Sequence, residues 1–240
     1  MDQNHLMMET QNNNVRLERF LSRVDFLREI CRGKRVLHLG CSSGQFIQDR
    51  IDRGSLLHQV LQNEAIDIYG VDLDGTSLAV MRKLGFNNLY EGDAERLDEL
   101  NLDETFDIVL AGDLIEHVTR PGSMLEGIKR FMRPDTGRFV VSTPNAFGLH
   151  FQMRRWMGNY SEHPEHVCFY SPETLQHLLE RHGYGVQEMQ GCYTEPPYGW
   201  KRRLEFSLAS PLLRFAPVLA GTLIAVATLP GNNGEVSYAF

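Results

Sequence analysis

The sequence predicts an α/β fold, a mostly parallel sheet covered by helices on both faces. Three observations carry this. Short apolar runs alternate with amphipathic stretches of helical length. The first clear run, "RVLHL", passes straight into the small residues "GCSSG". The second, "IDIYGV", closes on an acid, Asp72. Continuous rather than alternating hydrophobicity within the runs fits strands buried on both sides.

Residues 15–30 read as an amphipathic helix, with Leu17, Phe20, Leu21, Val24 and Leu27 at three- and four-residue steps. Gly33 ends it. Residues 36–39 form the first strand. "QFIQDRIDRGSLLHQVLQ" is helical with a break near Gly54, and residues 66–71 are the second strand. "SLAVMRKLG" is helix, residues 88–90 a short strand, and residues 106–111 the fourth strand. "PGSMLEGIKRFM" is helix with Pro121 in its first turn, and residues 137–142 are the fifth strand. Residues 145–170, rich in aromatics, histidine and arginine, break the rhythm as an excursion over the carboxyl ends of the strands, where such sheets bind ligands. Ser171 and Pro172 then start a helix that Gly183 stops. Residues 186–189 and 223–229 supply the last two strands. "PPYGWKRR" between them reads as a surface loop.

The 240 residues suit a single domain over 15–240 with a substrate cap at about 145–170, preceded by a flexible polar start at 1–14. Hydrophobic residues at 42% indicate a real core. A net charge of -7 disfavours a nucleic-acid backbone as main partner. Cys31, Cys41, Cys168 and Cys192 have no paired spacing and read as reduced thiols. The apolar stretch 216–230 is too short to span a membrane and has the β-branched content of a buried strand. With no signal peptide at the start, the cytoplasm is the expected location.

Glycines at a strand end let backbone N–H groups approach a ligand, and a strand, turn and helix together cradle a cofactor. Asp72 at the end of the second strand can accept both hydroxyls of a ribose. A nicotinamide enzyme would place an acid there too, but with a fuller glycine pattern than "GCSSGQ". Asp93 in "YEGDAERL" can accept from the exocyclic amine of an adenine while the Ala94 N–H serves a ring nitrogen; alternatively it caps the turn before Glu95.

In order and spacing, "VLHLGCSSG", "YGVDLD", "YEGDAERL", "FDIVLAGDLIEHV" and "GRFVVSTPN" resemble class I S-adenosylmethionine-dependent methyltransferases. The resemblance is nearest to the small-molecule group containing ubiquinone O-methyltransferases. It implies a Rossmann-like seven-stranded sheet with a terminal antiparallel strand. It also implies a methyl transfer from S-adenosyl-L-methionine to a small molecule, most readily at oxygen. By position, His38, Gly40, Cys41, Ser42 and Gly44 would hold the amino-acid part of the cofactor, Asp72 and Leu73 the ribose, and Asp93 and Ala94 the adenine. Gly112 and Asp113 would line the methionine side. Two departures stand out: His38 replaces the family's usual acid and Ser42 a frequent glycine. A neutral histidine can accept one hydrogen bond from the methionine ammonium, or Asp113 takes that role. The departures also admit a cofactor-binding partner subunit without catalysis.

An oxygen acceptor benefits from a base. His117, on a turn with Asp113 and Glu116, is one candidate; His166 and His163 in "EHPEHVCF" are others. Each can equally serve to fix its loop. No metal is required, although Asp113, Glu116, His117 and His166 or His163 could ligate a divalent ion, as the resemblance allows. Phe147, Phe151, Trp156, Tyr160 and Phe169 could form an aromatic acceptor pocket or pack the cap, and Arg154 and Arg155 could meet an acidic acceptor.

Overall fold

The computed structural model describes residue 17 and residues 20–158, 163–193 and 200–231. The expected flexible start and Tyr160 lie outside them. The strands are β1 (Phe20–Ser22), β2 (Arg35–Leu39), β3 (Asp67–Asp72), β4 (Leu89–Glu91), β5 (Ile108–Gly112), β6 (Arg138–Pro144), β7 (Gly185–Tyr193) and β8 (Thr222–Thr228). They form one sheet in the order β1-β7-β8-β6-β5-β2-β3-β4. Every pairing is parallel except those of β8 with β6 and β7. The carboxyl ends of seven strands and the amino end of β8 therefore share one edge. Strand order reverses between β2 and β5, which opens a crevice at that edge.

Among the described residues eight α-helices connect the strands: α1 (Arg23–Cys31), α2 (Ile47–Asp52), α3 (Leu57–Gln62), α4 (Gly75–Lys83), α5 (Pro121–Lys129), α6 (Leu149–Trp156), α7 (Pro172–Arg181) and α8 (Trp200–Phe215). Alternate residues of a strand face opposite layers. Leu37 and Leu39 of β2 pack with Val109, Phe139 and the α5 and α7 side chains Leu125 and Leu175. Val36 packs the other way with Ile108, Val140 and Leu27 and Leu61 of α1 and α3. His38 shares this second face and is fully enclosed. β8 is buried along six of its seven residues, and among the described residues no helix is long and apolar enough to cross a membrane.

Two sequence readings are corrected. The expected helix over 15–30 begins only at Arg23. The Ser22 hydroxyl accepts the Asp25 N–H at 3.3 Å with Ser22 in extended backbone, so the helix is capped there. Phe20–Ser22 instead pair with Gly191–Tyr193 as an edge strand, one more than the seven expected. Of the expected loop "PPYGWKRR", residues 196–199 lie outside the described residues, and residues 200–203 are not loop but the start of α8. Among its described side chains Leu213 is enclosed while Leu204, Leu212 and Phe215 face outward, so the sequence shows little helical period there.

Gly70 sits where β3 meets α3 and the turn after β2. A Cβ there would lie 2.7 Å from Cys41 Sγ and 3.0 Å from His58 Cε1. Gly70→Ala is expected to destabilise the fold by about 1–3 kcal/mol through overpacking, read by urea denaturation.

Candidate functional site

The crevice is a cleft of about 1910 Å³ at the carboxyl edge. Gly40 makes it possible: at φ +67° the chain turns out of β2, a conformation that a side chain disfavours, and its N–H bonds the Val71 carbonyl at 2.8 Å. The following backbone lies open, with nothing within 4 Å of a Cβ built on Gly44. Asp72 holds this turn. One carboxylate oxygen accepts the Ser42 N–H at 2.8 Å, the other the Asp74 N–H at 3.0 Å, and each keeps a further lone pair. Leu73 beside it is exposed in the cleft, an apolar wall. Asp93 accepts the Glu95 N–H at 2.8 Å, the capping role, and still lines the cleft with Ala94. All eleven cofactor residues expected from sequence, His38 through Asp113, line this one cleft.

The floor contains a side chain that the sequence reading passed over. Arg23, at the start of α1, pairs with Asp113 at 2.8 Å and donates to Ser142 Oγ at 3.0 Å. Ser142 Oγ donates to the other Asp113 oxygen at 3.0 Å. Asp113 thus closes a buried network from a left-handed backbone conformation, φ +51°. The missed signal was an arginine at the first helical position after a serine cap.

Beside it, His38 Nδ1 lies 3.3 Å from His58 Nδ1, and the rings stack. Burial holds His58 down to about 4. Burial, then His58, then Arg23 put His38 well below the ordinary histidine range. An Nδ1–H on either ring can donate to the Nδ1 of the other, and His38 Nε2 is buried with no protein partner, aimed toward Gly112. A cofactor can supply that partner: the open turn, the free lone pairs of Asp72 and this orphaned nitrogen fit a nucleoside-bearing amino acid.

His117 and His163 also line the cleft, at its mouth. His117 lies in the short turn after β5, and its Nδ1 is 3.2 Å from the Glu165 carbonyl. The His117, His163 and His166 rings meet with centroids 4.7–5.6 Å apart. Asp113 does not join them, being engaged by Arg23. Glu116 also turns away, into the core. Its carboxyl accepts from Thr143 Oγ1 at 2.9 Å, and its carbonyl receives the Val167 and Cys168 N–H groups, tying the cap to β6. Burial, then the nearby Asp113, push Glu116 up to about 8.

The aromatic pocket expected from residues 147–169 does not form in this cleft. Phe147, Phe151, Trp156 and Phe169 are not among its lining residues, and Trp156 is 83% exposed. α6 buries none of its side chains, so Arg154 and Arg155 lie on an outer surface as well.

A family model described as a methyltransferase domain matches residues 10–189. The ubiquinone biosynthesis O-methyltransferase of Aeromonas salmonicida is 27% identical over 180 residues, covering 68% of this chain and 68% of that protein. The enzyme of the same name from Rhodopseudomonas palustris (strain TIE-1) is 28% identical, covering 68% and 63%. The mitochondrial one of Bos taurus is 24% identical, covering 76% and 50%. The chain therefore spans between half and about two thirds of these curated relatives. Among solved structures, a possible histamine N-methyltransferase from Thermotoga maritima superposes with TM-score 0.57 at 18% identity, covering 87% of this chain and 88% of that one. Magnesium protoporphyrin IX methyltransferase from Synechocystis PCC 6803, with bound SAH, gives 0.52 at 16%, covering 86% and 80%. At such identities these structures share the fold alone.

Glu116 offers a test of the floor. Its carboxyl is raised from 4.5 in the ordinary state to about 8 in the fold, so stability is full below the lower value and declines as pH rises through the higher. Glu116→Gln removes that dependence. Relative to the variant, wild type is expected to lose on the order of 1–3 kcal/mol between about pH 5 and pH 8, read from denaturant midpoints. A pH-independent difference would contradict a neutral buried carboxyl.

Proposed function

The chain belongs to the methyltransferase-domain family, and from that premise we propose that it transfers a methyl group from S-adenosyl-L-methionine to an oxygen of a small-molecule acceptor. The observation that carries this reading is the convergence of the turn after β2, the ends of β3 and β5 and the turn after β4 on one cleft, with the backbone bare where the cofactor would lie. Its relatives' names favour oxygen as the acceptor atom.

S-adenosylmethionine, when bound, supplies an electrophilic methyl on a sulfonium. The chain's part is to hold and orient it. Asp72 has lone pairs left for two ribose hydroxyls, Leu73 and Ala94 offer apolar surface and a backbone donor, and Asp93 accepts an amine. Asp113 is already paired with Arg23; His38 Nε2, buried without a protein partner, is the acceptor we assign to the methionine ammonium, with the proton of that ring on Nδ1. The neutral histidine thus takes over the position of the usual acid. At the mouth, the Nδ1–H of His117 donates to the Glu165 carbonyl, which leaves Nε2 as the acceptor of a ring that sits against those of His163 and His166. His117 and His163 line the cleft mouth, with His166 against them, and we assign to these imidazoles the role of base for an acceptor hydroxyl.

Asp72→Ala is expected to weaken S-adenosylmethionine binding by about 1–3 kcal/mol, measured by titration calorimetry on folded protein. Unchanged affinity would remove Asp72 from the ribose site. His117→Ala or His166→Ala is expected to cut kcat by about 10²-fold with a phenolic or catecholic acceptor while leaving cofactor affinity nearly unchanged. Wild-type turnover in both would show that the acceptor is deprotonated elsewhere.

A further inference from the structure

We infer that His117, His163 and His166 form a binding site for a divalent transition metal at the mouth of the cleft, with its open position toward the acceptor. The inference rests on the methyl-transfer reading for its catalytic consequence, but not for the site itself. Among the described residues, one ligating atom from each of the three side chains lies within 4.8 Å of the others. They come from two separate segments, the turn after β5 and the cap, which the Glu116 carbonyl stitches together through the Val167 and Cys168 N–H groups. A four-coordinate zinc with bonds of about 2.0–2.1 Å needs its nitrogens about 3.4 Å apart, so closure requires ring rotation and about an ångström of movement.

The surroundings prepare the ligands. His117 Nδ1 is fixed by the Glu165 carbonyl at 3.2 Å, the outer-sphere contact that leaves Nε2 for a metal. His163 Nδ1 receives the Glu165 N–H at 3.4 Å, and the Glu165 carboxylate oxygen lies 4.0 Å away. Coordination through His163 Nε2 would exchange the first contact for the second. The ligand chemistry also changes from that expected in the sequence. Asp113 pairs with Arg23 and Glu116 is turned into the core toward Thr143, so neither joins the three rings, and the cluster itself is all nitrogen. An all-imidazole set selects zinc, cobalt or nickel over magnesium or calcium. Three protein ligands leave a fourth position, and the cleft is lined here by His117, His163 and Glu165.

With the metal bound the three imidazoles are ligands and no longer bases, so an acceptor hydroxyl at that position would lose its proton to bulk water, and the metal would hold the resulting oxyanion. The O–C bond then forms as the C–S bond breaks, its electron pair returning to sulfur and leaving a neutral thioether.

The test uses the full chain, stripped with chelator and titrated with cobalt(II) and then zinc(II). One cobalt per chain is expected, with the intense visible bands of four-coordinate nitrogen ligation, displaced by zinc. His166→Ala should weaken zinc binding by more than the roughly 10–100-fold that loss of an outer-sphere partner costs. His163 is exposed, so His163→Ala keeps the fold and should do the same; exposed His177 on α7 is the control, and His177→Ala should change nothing. Cobalt spectra without these bands, or wild-type zinc affinity in His163→Ala, would overturn the site. S-adenosylmethionine is titrated into the same samples. Cofactor binding without zinc binding overturns the metal site and leaves the methyltransferase reading standing. Zinc binding without cofactor binding supports the metal site while removing the methyl transfer it was to serve.

Discussion

At the carboxyl edge a buried Arg23 pairs with Asp113, whose side chain stays 31% exposed to the cleft, and the site is arranged around keeping them together. Leaving the buried Arg23 unpaired would be destabilising, so the pair fixes where α1 starts against the sheet and where β5 turns. Ser142 completes the contact from β6. Three segments distant in sequence are locked at one point. The left-handed backbone at Asp113 is the conformational cost, and it turns the chain after β5 along the cleft mouth. Glu116 can then point inward to Thr143 while His117 points outward to the cap.

Beside the pair, burial disfavours charge on three further groups: it lowers His38 and His58 and pushes Glu116 up to about 8. A floor of neutral acceptors around one ion pair suits the proposed reaction, because a sulfonium cation and an oxyanion lose their charges together in the transfer. Preorganised dipoles stabilise such a change without the reorganisation that water would need. His38 is central to this arrangement. Its neighbours across the strands, Leu110 and Gly70, leave room for the ring.

The parallel core and the cofactor turn were readable in sequence because their signals are local. Strand runs such as "RVLHL" and "FVVS", the Ser171–Pro172 helix start and the glycines at 40 and 44 act through their own backbone. Asp72 was readable for the same reason, as it closes a strand. What escaped depends on partners far along the chain. Arg23 looked like one charged residue of an amphipathic helix until Asp113 and Ser142 met it. Glu116 and His117 are neighbours in sequence, yet one faces the core and the other the cleft, which no spacing argument on a helical turn separates. The aromatic residues of the cap suggested a pocket by composition, but α6 holds Trp156 away from the cleft. Edge strand β1 escaped because three residues carry no period.

The most direct measurement is calorimetric titration of the wild-type chain with S-adenosylmethionine, with NADH as the comparison. Micromolar binding of S-adenosylmethionine and none of NADH is the expected result, since the turn after β2 and Asp72, Asp93 and His38 Nε2 together suit a nucleoside carrying an amino acid. Binding of NADH alone, or of neither, would contradict the assignment of this cleft.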